Sequence, residues 1–142
     1  MKKTLLLACL LSVSFISCKK ETQTVEGLKE ELAGRWTYGT LVKNNYDASG
    51  KLLSTTRLPA KNGIDYIEFG DNNTFVMTSN GGADKTTGVC DVNSTTRFTL
   101  KSATATNTCR VTSLTLNNLV FELEEPKVAK QPYTEYTHSL NR

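Results

Sequence analysis

From Gly34 onward no stretch of this chain sustains a helical period for three turns, while short apolar alternations recur between clusters of Gly, Asn, Asp and Ser. That pattern points to an all-β fold. Ile67 and Phe69 alternate with Tyr66 and Glu68, and Phe75 and Met77 with Thr74, Val76 and Thr78. Leu119, Phe121 and Leu123 alternate with Val120, Glu122 and Glu124. Period-two alternation is how a strand with one buried and one wet face reads. Threonine occurs 21 times, mostly after residue 35, and β-branched side chains suit a pleated surface.

Strands are predicted over 35–43, 52–58, 64–69, 74–79, 86–92, 95–101, 108–114, 118–124 and 133–140. The turns between them carry Asn44-Asn45-Tyr46-Asp47 with Ser49-Gly50, Gly70-Asp71-Asn72-Asn73, Asn80-Gly81-Gly82, and a loop bracketed by Pro126 and Pro132. Eight or nine short antiparallel strands at near-regular spacing fit a barrel or a sandwich. A meander leaves two edges open, and closing it removes them. The expectation is therefore an antiparallel up-and-down β-barrel of about eight strands. One short helix precedes it: Thr24 can cap it, Val25, Leu28 and Leu32 follow at helical spacing, and Gly34 stops it.

The first 18 residues say where such a barrel works. Met1-Lys2-Lys3 is a basic start, residues 4–15 are mainly apolar, and Ser17 immediately precedes Cys18. A spanning helix needs about 20 consecutive apolar residues, and Lys19-Lys20 ends the run before that. Ile16-Ser17-Cys18 resembles the lipobox of bacterial lipoproteins. The resemblance implies that residues 1–17 are a signal peptide and that Cys18 is acylated as the first mature residue. It also implies a lipid-anchored protein of a Gram-negative cell envelope, with the outer membrane as the expected site. Residues 18–24 would then be the lipidated cysteine and its tether, and 25–142 the barrel domain. The formal charge of +3 falls to about +1 once Lys2 and Lys3 leave. With both signs scattered along the chain, no basic patch points to nucleic acid. Lys19 and Lys20 would sit at the headgroups, as helpers of attachment or as plain linker.

The barrel itself also carries a resemblance. Gly34-Arg35-Trp36 after a short helix resembles the Gly-x-Trp that opens the first strand of lipocalin-like domains, where the Trp packs across the barrel floor. Ile67-x-Phe69-x-Asp71-Asn72-x-Thr74-Phe75 is similar to the third and fourth strands of lipocalin-like lipoproteins. Thr87-Gly88-Val89-Cys90 stands where that family often repeats Gly-x-Trp, with Cys90 in place of the aromatic. The resemblance implies that Gly34 and Trp36 form the floor and that a small hydrophobic molecule binds in the barrel. On the alternation, Phe69, Phe75, Phe98, Phe121 and Tyr136 are the candidate ligand-lining residues, with His138 beside them. The same aromatics would equally serve as an ordinary filled core.

An exported protein with Cys90 and Cys109 left over favours a disulfide between them. A third strand between the two would hold their Cα atoms about 9 to 10 Å apart, against the roughly 7 Å limit for a bridge. The compartment argument keeps the bridge as the expectation. Catalytic and metal signatures are weak. His138 is the sole histidine and has no nucleophile motif beside it. Glu122 and Glu124 share a wet face that reads as solubility, with Glu125 after them, and neither cysteine belongs to a Cys-x-x-Cys pair. No enzyme, cofactor or metal is expected. The alternative to ligand binding is a protein-interaction or inhibitor module acting on an envelope protein. Its barrel would be filled, and its contacts would come from the loops 44–51 and 80–85.

Overall fold

The computed structural model describes residues 24–124 and 128–142. The signal segment, Cys18, the tether as far as residue 23, and Glu125 and Pro126 lie outside the described residues. Helix α1 spans Val25–Leu32, and the Thr24 hydroxyl caps it by accepting the Gly27 N–H at 2.9 Å. Leu28 and Leu32, four residues apart, are buried on one helix face. Gly34, at φ +103°, then turns the chain into the first strand through a conformation that a side chain disfavours.

Nine strands follow: β1 (Gly34–Tyr46), β2 (Leu52–Leu58), β3 (Tyr66–Phe69), β4 (Thr74–Ser79), β5 (Asp84–Ser94), β6 (Arg97–Ser102), β7 (Thr106–Leu114), β8 (Asn118–Glu124) and β9 (Tyr133–Asn141). β1 pairs with β3, each strand from β3 to β9 pairs antiparallel with the next, and β9 returns to β1 along Thr37–Tyr46. Eight strands thus close an antiparallel up-and-down barrel, consistent with the lipocalin-like class expected from the sequence.

β2 is the strand left out of the ring. The four-residue β3 covers only Gly34–Thr37 on its edge of β1. β2 occupies the remainder of that edge, with Leu58–Leu52 against Leu41–Tyr46. With the start of β9 it forms a three-stranded extension at the end of the barrel away from α1. The turn expected to begin at Asn44 begins later because both asparagines are held in the sheet. Asn45 Nδ2 donates to Ser54 Oγ at 2.9 Å, and Asn45 Oδ1 accepts from Thr134 Oγ1 at 3.0 Å. Asn44 Oδ1 accepts from Thr55 Oγ1 at 2.9 Å. The loop narrows to 47–51, where Asp47 Oδ1 accepts the Ser49 and Lys51 N–H groups.

A bulge sets which side of β1 faces inward. Tyr38 pairs with Leu140 and Thr40 with Ser139, so Gly39 is the extra residue. Beyond it Leu41, Lys43 and Asn45, opposite His138, Tyr136 and Thr134, take the inner face that Trp36 and Tyr38 hold below. Thr40 is turned outward, where Arg57 reaches its hydroxyl at 3.3 Å.

The core gathers Leu28 and Leu32 of α1 with Trp36, Tyr38, Ile67, Phe69, Phe75, Cys90, Phe98, Leu100, Cys109, Leu119, Phe121 and Leu140. Gly88 is required by packing: a Cβ there would stand 1.9 Å from Lys101 O and 2.8 Å from the Phe75 ring. The loop before β3 is fastened by Asp65, whose buried carboxylate accepts from the N–H groups of Lys61, Gly81 and Gly82 at 2.8, 3.2 and 3.0 Å. It thereby ties that loop to the β4–β5 turn. Among the described residues no helix is long and apolar enough to cross a membrane.

Candidate functional site

The two ends of the barrel differ. At the α1 end Trp36 is fully buried and donates its indole N–H to Leu32 O at 2.8 Å, which locks the helix over the barrel. The Arg142 guanidinium lies 4.0 Å from the Trp36 ring centroid and donates to Glu31 O and Ala33 O. One aromatic floor residue therefore connects the helix, the first strand and the last residue of the chain. Gly34 lies at the same end, as the bend that delivers Trp36. A polar groove of about 280 Å³ between α1 and the β3–β4 turn, lined by Glu26, Lys29, Glu30, Ala33, Gly70 and Asp71, is outside the barrel.

Of the five candidate lining residues, four belong to the packed centre. Phe69 meets Phe98 edge-on at 5.6 Å, Phe98 meets Phe121 at 5.3 Å, and Phe121 stacks on His138 at 4.6 Å. Phe75 is equally buried, against Gly88. Tyr136 is different: it is half-buried on the inner face, in register with Lys43 and Leu123. Leu41, Lys43, Met77 and Leu123 share that inner face and are likewise only partly buried.

His138 sits between the packed centre and the end away from α1. Its Nδ1 is 3.0 Å from the Tyr38 hydroxyl, which is also 3.5 Å from Met77 Sδ. Burial pushes the imidazole pKa down from 6.5 to about 4, so the ring is neutral at ordinary pH. Burial likewise pushes the Tyr38 hydroxyl well above its usual value, with small contributions from Cys109 and Asp65. The pair is therefore an uncharged hydrogen-bonding unit. Tyr38 was not among the sequence candidates, although its place two residues after Trp36 on the same face is a usable signal. Lys43 was missed because a simple alternation from Trp36 turns it outward, and only the Gly39 bulge brings it in.

The cysteine expectation is corrected. Cys90 and Cys109 are buried free thiols, not a disulfide. They stand on β5 and β7 with β6 between, Cys90 opposite Leu100 and Cys109 opposite Phe98. Strand spacing alone separates such positions by about 9 to 10 Å, beyond what a bridge spans. Burial raises both thiols, Cys90 to about 12, which keeps them protonated and unreactive.

Glu122 and Glu124 lie on the outer face as the wet-face reading has it. Glu122 pairs with Arg110, and Glu124 pairs with Arg97 at 3.1 Å and Arg110 at 3.6 Å. Exposed cross-strand pairs of this kind contribute little to stability. Among the described residues there is no group of three or more metal-ligating side chains. Neither models of protein families nor the sequences of curated proteins give a match to this chain.

Proposed function

We propose that this protein is a lipid-anchored binding barrel of a Gram-negative envelope that holds a small, mainly hydrophobic molecule in its interior. The observation that carries the reading is the asymmetry of the barrel. One end is sealed by α1, Trp36 and Arg142, and the other presents Leu41, Lys43, Met77, Leu123 and Tyr136 as partly buried inner walls. Concave, mostly apolar sites with a few polar groups are what small ligands use, and an eight-stranded barrel is wide enough for one. Its sole histidine, neutral and packed between Phe121 and Tyr38, fits binding or packing rather than catalysis, so we read the protein as a non-enzyme. The lipocalin-like motifs around Trp36 and the lipobox-like ending at Cys18 support the same reading, with the outer membrane as its location.

Native mass spectrometry of the protein released from its own envelope tests the ligand. An added mass that leaves on denaturation is expected, and a bare protein across gentle extraction conditions would count against it. Radiolabelled palmitate tests the anchor: incorporation should vanish in Cys18→Ala.

A second reading, an interaction module for an envelope protein, is favoured by β2. Its outer edge has no neighbouring strand among the described residues, and Leu52 and Leu53 are exposed along it. An open edge with exposed leucines is a surface that a partner strand can extend. Crosslinking in intact cells from position 53 separates the readings: one discrete adduct would favour the partner.

A further inference from the structure

His138 is held on two sides and leaves its distal nitrogen buried and unpaired among the described residues. Its ring face lies on Phe121, with centroids 4.6 Å apart, and Nδ1 meets the Tyr38 hydroxyl at 3.0 Å. The distal nitrogen, Nε2, is itself buried and has no hydrogen-bond partner among the described residues. Buried polar atoms are nearly always satisfied, and one that is not calls for an explanation. Here the atom is the far end of an inward side chain. On the inner face Leu41 stands level with His138, Met77 meets the Tyr38 hydroxyl, and the next layer toward the end away from α1 is Lys43, Leu123 and Tyr136.

The Tyr38 hydroxyl indicates which hydrogen-bonding role Nε2 plays. It has two acceptors within reach, Nδ1 at 3.0 Å and the Met77 thioether at 3.5 Å. An imidazole nitrogen is a much better acceptor than a thioether sulfur, so the hydroxyl proton belongs on the bond to Nδ1. A neutral imidazole then carries its own proton on Nε2, which is a donor. The matching group on an occupant is an acceptor oxygen. A carboxylate at this depth would face an uncharged ring and lose its hydration, with the inner-face cation Lys43 one layer further out, which favours an uncharged oxygen.

We propose that the barrel takes an apolar molecule carrying an uncharged acceptor oxygen (a ketone, ester, amide or alcohol), inserted oxygen first so that it accepts from His138 Nε2–H. The proposal rests on the ligand-binding reading and adds the orientation and chemical class. Tyr38 acts as a positioning residue that holds the imidazole tautomer.

Butyrophenone and butylbenzene share a carbon skeleton and differ by one carbonyl, which makes them matched probes. The chain has one histidine, so ¹⁵N-histidine labelling of the full protein in nanodiscs yields a single imidazole to follow, with empty nanodiscs as the blank. Both probes should perturb the Met77 methyl saturably. Only butyrophenone should move the Nε2 resonance, and Nε2 should carry the proton throughout. In His138→Phe, the dissociation constant of butyrophenone relative to butylbenzene should rise roughly tenfold, the loss of one buried hydrogen bond. If both probes bind and leave Nε2 alike, the orientation is wrong and ligand binding stands. If neither probe moves Met77, the ligand-binding reading falls and takes this inference with it. The imidazole spectra come from the unsubstituted protein, so the test survives a variant that fails to fold.

Discussion

At the scale of single residues, Trp36 and His138 carry unequal burdens. Trp36 touches the helix, the first strand and Arg142, and no solvent reaches it. Trp36→Ala should therefore cost about 3 to 5 kcal/mol, read from urea denaturation. A loss within about 0.5 kcal/mol, as at an ordinary surface site, would refute its place as the floor. His138 sets a pH dependence. Its pKa is about 4 folded and about 6.5 unfolded, so between those values the unfolded chain binds a proton that the folded one refuses. Stability should be level above pH 6.5 and fall by up to about 3 kcal/mol as pH drops toward 4. Urea midpoints at pH 7.5, 5.5 and 4.5 check this, and the decline should be shallower in His138→Phe; equal slopes would contradict it. Asp65 acts in a lower window. Burial opposes its charge, but the N–H groups of Lys61, Gly81 and Gly82 and the Lys61 charge outweigh that and hold its pKa below 3.8. Its stabilisation persists above that range and is lost only as pH falls through the lowered value. Trp36 was legible from Gly-x-Trp after a helix. The role of Asp65 was not, because its partners are backbone groups of two separate turns.

At the scale of elements, α1, β2, β4 and β8 match their expected limits, because each is bounded by strong local chemistry. Thr24 and Gly34 bracket the helix, and Asn80 and Gly81, both at positive φ, end β4. β1, β5 and β7 run longer than local patterns predict: pairing with β2 and β9 on both edges recruits residues 44–46 of β1, and hairpin pairing on one edge adds Asp84 and Lys85 to β5 and Thr106 and Asn107 to β7. β2 is the element with the least support: it pairs along one edge only, and its side chains are exposed except for Leu58. Local stability follows buried contacts and paired backbone. Hydrogen exchange should therefore strip protection from the β2 amides well before those of β1 residues Trp36 and Tyr38. Equal protection would mean that another surface covers the β2 edge.

At the scale of the whole molecule, barrel closure decides the redox chemistry. β6 stands between the two cysteines, and both thiols face the packed interior. The protein isolated without reductant should show both thiols free by mass, blocked from iodoacetamide when folded and alkylated in denaturant. A mass two hydrogens lighter would restore the bridge. The sequence by itself determined the all-β class, a count of eight or nine strands, the helix at the front and most of the aromatic core. These follow from local periodicity and turn chemistry, which need no knowledge of neighbours. Only the tertiary structure decided that eight strands close while β2 stands outside, and that the Gly39 bulge turns Lys43 inward. It also decided that Cys90 and Cys109 stay apart, and that Tyr38, Phe121 and His138 meet. Those outcomes depend on register between residues up to 104 positions apart in the chain, as Thr37 and Asn141 are. Register is settled by the total fit of the closed sheet rather than by any one segment.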